Sequence, residues 1–158
     1  MSRLFRCSPL LAFGIVPTAM AAIFGSLFAG TMPTDLGVRN GRLTACPDKP
    51  NCVNSQATDA GHAIAPFNFS GSAATALRTL ARIITATPDA MIVVTRDNYL
   101  QATFATSTMG FIDDVEFFAD PARNIIDVRS ASRLGTSDFG VNRNRVEGLR
   151  RALAAEKS

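Results

Sequence analysis

Between residues 91 and 132 four strand-like runs follow one another, and the breaks between them are too short to hold anything but a reversal. The runs cover 91–95, 99–107, 111–118 and 125–132. Asp97-Asn98 suits a two-residue hairpin, because both residue types tolerate positive φ. Met109-Gly110 and Ala119-Asp120-Pro121 supply the next turns. Parallel neighbours need a crossover of about a dozen residues or more, so this stretch predicts a four-stranded antiparallel meander. Alternation sets Leu100, Ala102 and Phe104 against Gln101, Thr103 and Ala105. In the third run Phe111, Asp113, Val115 and Phe117 share one face, and Ile112, Asp114, Glu116 and Phe118 share the other.

Two helices complete the pattern. Over 72–86, Leu77, Leu80, Ala81 and Ile84 form one apolar stripe, Ser70 or Ser72 can cap the start, and Thr87-Pro88 stops the run. From about 142 to 154, Val146, Leu149 and Leu153 form a second stripe. The stretch 62–69 reads as a fifth strand that Pro66 confines to an edge. The expected fold is therefore α+β, a meander with an edge strand packed by two helices.

The chain has 158 residues, enough for one domain. Residues 7–34 carry no charge and follow Arg3 and Arg6, a basic start before an apolar run that marks a membrane-targeting segment. The 21 residues of 10–30 would span roughly 30 Å as a helix. Ala19-Met20-Ala21 behind Pro17 suits cleavage of a signal peptide near Ala21. The apolar run on through Ile23, Phe24, Leu27 and Phe28 suits an uncleaved anchor. Both readings place the rest of the chain across the membrane, either tethered to the inner membrane and facing the periplasm or released there. The expected division is a signal peptide or anchor over 1–31, a linker over 32–45 and the α+β domain over 46–158.

Charge and cysteine usage fit export. Without Arg3 and Arg6 the 16 basic residues fall to 14 against 13 acids, a net +1, so no nucleic-acid partner is expected. Cys46 and Cys52 form a pair in a Pro-containing loop. In an oxidising compartment such a pair reads as a disulfide; as a metal or redox pair its spacing lacks the usual zinc pattern.

Several polar residues invite a chemical reading. Asp114 and Glu116 on one strand face could hold a hard cation, act as acid and base, or pair with Arg129 on the next strand. Arg129, Arg133, Arg143 and Arg145, with Ser130, Ser132 and Asn142 among them, crowd around a loop where Ser137 or Asp138 starts the last helix. Arginines beside a helix start suit a carboxylate or phosphate. The plainer alternative has Asp138 capping the helix, Arg143 pairing with Glu147 and the other arginines solvated. His62 is the single histidine. Asp59 lies near it, and Ser55 or Ser132 would be its nucleophile, yet no Gly-x-Ser-x-Gly elbow is present. Gly135 and Gly140 are isolated, so no phosphate cradle exists and no cofactor is expected.

Four words of the sequence closely resemble the DUF1499 family: Cys46-Pro47-Asp48-Lys49-Pro50-Asn51-Cys52-Val53-Asn54-Ser55-Gln56, the run from Gly110 through Asp113, Asp114 and Glu116 to Phe117, the run from Val128 to Gly135, and the run from Asp138 to Glu147. The resemblance covers 46 to about 150. It implies a small exported or membrane-associated protein of unknown activity, and it carries over no catalytic residue. The leading functional reading is a ligand- or partner-binding accessory module of the envelope. Its site would use Asp114, Glu116, Arg129, Ser130, Ser132, Arg133, Asp138, Asn142, Arg143 and Arg145 for an anionic small molecule or an envelope protein. The alternative is a hydrolase or metal-dependent enzyme using Asp113, Asp114, Glu116 and His62.

Overall fold

The computed structural model describes residues 28–107 and 109–156. In chain order the elements are β1 (Cys52–Asn54), β2 (Phe67–Asn68), α1 (Ala73–Thr85), β3 (Ala90–Arg96), β4 (Tyr99–Ala105), β5 (Ile112–Asp120), β6 (Ile125–Ser132) and α2 (Val141–Ala155). The fold is α+β, as expected. The sheet has six strands rather than four or five, in the order β1-β6-β5-β4-β3, and β2 also pairs with β6.

All strand pairs are antiparallel, and the meander runs from β3 to β6. β1 and β2 share the outer edge of β6, with Val53 opposite Ser130 and Phe67 opposite Ile126. β1 lies inside the cysteine-bearing word and is too short to show alternation. The expected edge strand over 62–69 shrinks to two residues. Pro66 has no N–H to give a ladder, and its carbonyl accepts from Arg150 instead.

The alternation read from the sequence sorts the two faces. Leu100, Ala102, Phe104, Val115, Phe117, Ala119, Ile126 and Val128 form the core with Leu77, Leu80 and Ile84 of α1 and Val146, Leu149 and Leu153 of α2. Ser72 caps α1 by accepting from the Thr75 N–H at 3.1 Å. Gly140 precedes α2 without a side-chain cap, and Asp138 takes that role from two residues upstream. Its Oδ2 accepts from the Asn142 N–H at 2.8 Å and its Oδ1 from the Gly140 N–H at 3.0 Å.

The opposite face of the sheet is covered by the chain before β1. The Phe28 ring lies 5.1 Å from that of Phe111. The Gly37 N–H donates to Glu116 Oε1 at 2.7 Å. Asn54 Nδ2 donates to the Thr44 carbonyl at 3.0 Å, and the Leu43 N–H donates to Gln56 Oε1 at 2.8 Å. A disulfide joins Cys46 to Cys52, with Cα atoms 5.7 Å apart. The stretch 32–45, expected as a linker, is therefore a strap seated across the sheet. Most of the expected membrane or signal helix lies outside the described residues. Residues 28–30 form a bend rather than a helical turn, and among the described residues no helix is long and apolar enough to cross a membrane.

Candidate functional site

The expected polar group divides between the two faces of the sheet, because Asp113 and Asp114 are consecutive on β5 and must point apart. On the helix side, Asp113 pairs with Arg145 at 2.5 Å. Arg145 also donates to Asn142 Oδ1 at 2.7 Å and Ser130 Oγ at 3.2 Å, and its guanidinium lies over the Phe104 ring. Asn142 Nδ2 donates to Ser132 Oγ at 2.9 Å, Asp138 Oδ2 at 2.8 Å and the Asn51 carbonyl at 3.2 Å. Ser130 Oγ donates to Asn142 Oδ1 at 2.5 Å. This network ties α2, β5, β6 and the disulfide loop together. Burial pushes the Asp138 carboxyl up, but the N–H groups of Asn142 and Gly140 outweigh it and hold the group below its ordinary value.

On the strap side the arrangement is looser. Asp114 accepts two parallel bonds from Arg133, at 2.7 and 2.8 Å, the fork geometry that suits a carboxylate. This bond holds the Arg133 guanidinium above its ordinary value. Glu116 is opposite Arg129 in the register, as the cross-strand pairing reading expects. Their closest approach is only 3.5 Å. Glu116 Oε1 instead accepts from the Gly37 N–H and from the Tyr99 hydroxyl at 2.8 Å. Burial pushes the Glu116 carboxyl up, and its donors pull it back only in part. Burial, then the Glu116 charge, push the Tyr99 phenol well above its ordinary value, so it stays a donor.

Arg129 is the exception in this well-bonded surface. The residue is 6% exposed, and its Nε is buried with no hydrogen-bond partner. The side chain lines a cavity of about 380 Å³ between sheet and strap, together with Asp114, Ser132, Arg133, Asp35 and Cys46. Asn51 Oδ1 is the other buried side-chain atom without a partner among the described residues. A second cavity, of about 300 Å³, lies between α1 and the β3–β4 turn. None of its lining side chains has a buried unpaired polar atom, so the strap cavity is the better candidate.

Other expected residues lie elsewhere. Arg143 does not pair with Glu147; it donates to the carbonyls of Ala63 at 2.9 Å and Gly61 at 3.1 Å. His62 has Nδ1 2.8 Å from Asp59 Oδ1 and Nε2 3.0 Å from the Lys49 carbonyl. Ser55 Oγ donates to Asp127 Oδ1 at 2.7 Å, and Ser132 serves Asn142, so neither serine meets the histidine. Among the described residues no three His, Cys, Asp or Glu side chains converge as a metal-holding group.

Sequence reasoning missed Asp127, Tyr99 and Gly37. Asp127 is 1% exposed and is held by Ser55, Gln56 and Arg123. Its place two residues before Arg129 on one strand was the available signal, since i and i+2 share a face. Nothing in the sequence singles out Gly37, whose role depends on the strap crossing the sheet.

No curated protein matches the chain. The model of a protein family of unknown function, DUF1499, matches residues 42–153, from the strap to the last core turn of α2, and the chain belongs to that family.

Proposed function

We propose that this protein is an exported binding module that holds a small anion, through a carboxylate or phosphate group, in the cavity between strap and sheet. Arg129 carries the reading. A buried guanidinium whose nearest carboxylate is 3.5 Å away and whose Nε has no partner is an unfinished hydrogen-bond set beside a cavity. Buried charges are normally paired and fully bonded, and an oxyanion would complete this one with two bonds. About 380 Å³ is within the range of small-ligand sites.

Asp113 and His62 lie away from the face that carries Asp114 and Glu116, and each of the four is held by a different partner, which favours binding over the hydrolytic alternative. The disulfide and the uncharged, apolar start of the chain support an oxidising compartment reached across a membrane. The same start supports either a retained anchor or cleavage near Ala21.

The test is calorimetric titration of the full chain in detergent with inorganic phosphate and, separately, with succinate. The wild type should bind at least one, and Arg129→Met should lose that binding. Absence of binding to either probe in the wild type, or unchanged binding in Arg129→Met, overturns the proposal.

A further inference from the structure

Among the described residues six large apolar side chains are exposed, and three of them cluster here: Leu134 and Phe139 in the loop that joins β6 to α2, and Val141 at the first position of α2. Phe139 is 95% exposed. Its φ of 53° is a left-handed conformation that non-glycine residues rarely adopt, bulky ones among them. The loop is nevertheless well fixed. Asp138 accepts from the Gly140 and Asn142 N–H groups on one side of Phe139, and Ser137 Oγ accepts the Phe139 N–H at 3.3 Å. A fixed loop that turns a phenyl ring outward calls for a surface to receive it.

The path of the chain says which surface. Phe28 packs at a tilt against Phe111, two residues past the exposed Met109. Gly30 lies so close to the β6–α2 loop that a Cβ there would come within 2.8 Å of Arg133 Cβ and 3.0 Å of Leu134 Cγ. The described chain thus begins between the β4–β5 turn and the loop that carries Phe139. The sequence before it, 7–27, is uncharged and largely apolar, behind Arg3 and Arg6. From Leu134 to Val141 the one charged residue is Asp138, and both its oxygens are taken by the bonds just named. The loop therefore presents apolar side chains and no free charge where the chain enters.

We propose that the β6–α2 loop is a lipid-contacting surface: Phe139, flanked by Leu134 and Val141, enters the headgroup–acyl boundary of the bilayer that receives the N-terminal segment. The inference rests on the reading that this segment is retained as an anchor. An apolar ring at that depth gains burial without leaving a charge behind. Docking at two points, the chain entry and the loop, fixes the orientation of the domain to the membrane, which a flexible tether alone does not.

The chain contains no tryptophan, so Phe139→Trp supplies a single fluorescent probe at an exposed position. The full chain is reconstituted into phosphatidylcholine–phosphatidylglycerol vesicles, with and without acyl-chain bromination. Met91→Trp, 63% exposed in the native residue and on the far edge strand β3, is the control. The expected result is blue-shifted emission and strong quenching by brominated lipid for Phe139→Trp, and water-like, unquenched emission for Met91→Trp. Vesicle-bound Phe139→Trp protein that is not quenched overturns the lipid contact while leaving the anchor intact. A blue shift that grows with protein concentration and ignores bromination assigns the loop to a second copy of the chain and also overturns it. Wild-type protein that fails to float with vesicles overturns the anchor and the inference together. The titration with phosphate and succinate is independent of all three outcomes.

Discussion

Arg129 and Arg145 each face a carboxylate of β5, yet the two pairs are built differently. Arg145 reaches Asp113 at 2.5 Å, with further bonds to Asn142 and Ser130. Arg145→Ala would strand Asp113, which is 3% exposed, so unfolding by denaturant should show a loss of about 3–5 kcal/mol. Arg129→Met should cost much less, about 1 kcal/mol. Glu116 keeps its bonds from Gly37 and Tyr99, and burial already favours its neutral form. Equal losses in the two variants would make Arg129 a structural residue. Part of this was legible in the sequence. Strand alternation alone separates Asp113 from Asp114 and sets Glu116 against Arg129. That Arg145 belongs to Asp113 and Arg143 to the Gly61 and Ala63 carbonyls was not legible, because it depends on how α2 lies over the sheet.

Elements were legible where their periodicity is long. The meander and both helices extend over enough residues for period and caps to agree. β1 has three residues and β2 two, and both are strands only because the edge of β6 offers them partners. The start of α2 is a middle case: the sequence offers Asp138 as a cap, although the residue at the helix boundary is Gly140. This cap gives a pH dependence. The Asp138 carboxyl lies below its ordinary value in the folded chain. Its stabilising effect is therefore complete above the ordinary carboxylate range, near about pH 4, and is lost as pH falls through the lowered folded value. Asp138→Asn removes the titrating group and weakens acceptance of the helix N–H groups, which should cost about 1 kcal/mol at neutral pH. Melting curves from neutral to acidic pH should converge for wild type and Asp138→Asn. Parallel curves with a constant gap would show that the charge of Asp138 plays no part.

At the scale of the whole molecule, the sequence pattern suggests a domain that starts at Cys46, with 32–45 as a connection. The strap has no apolar period, because it is held by single bonds to polar side chains of the sheet and of the turn after β1 rather than by a packed stripe. One signal was present. Asn40-Gly41 is a hairpin dipeptide, and both residues have positive φ between Arg39 and Arg42, which exchange backbone bonds at 2.9 and 3.0 Å. Gly37 tests whether the strap moves as its own unit. Its φ of 117° is a conformation that suits glycine, although a Cβ there would meet nothing within 4 Å. Gly37→Ala therefore imposes backbone strain of about 1–3 kcal/mol without a clash. That strain falls on the seating of the strap, whose Glu116 bond is made by the residue itself. Amide exchange at position 37 and at Leu43 should accelerate, while Val115 and Phe117 in the central strand keep their protection. Acceleration of both sets together would mean that strap and sheet open as one unit.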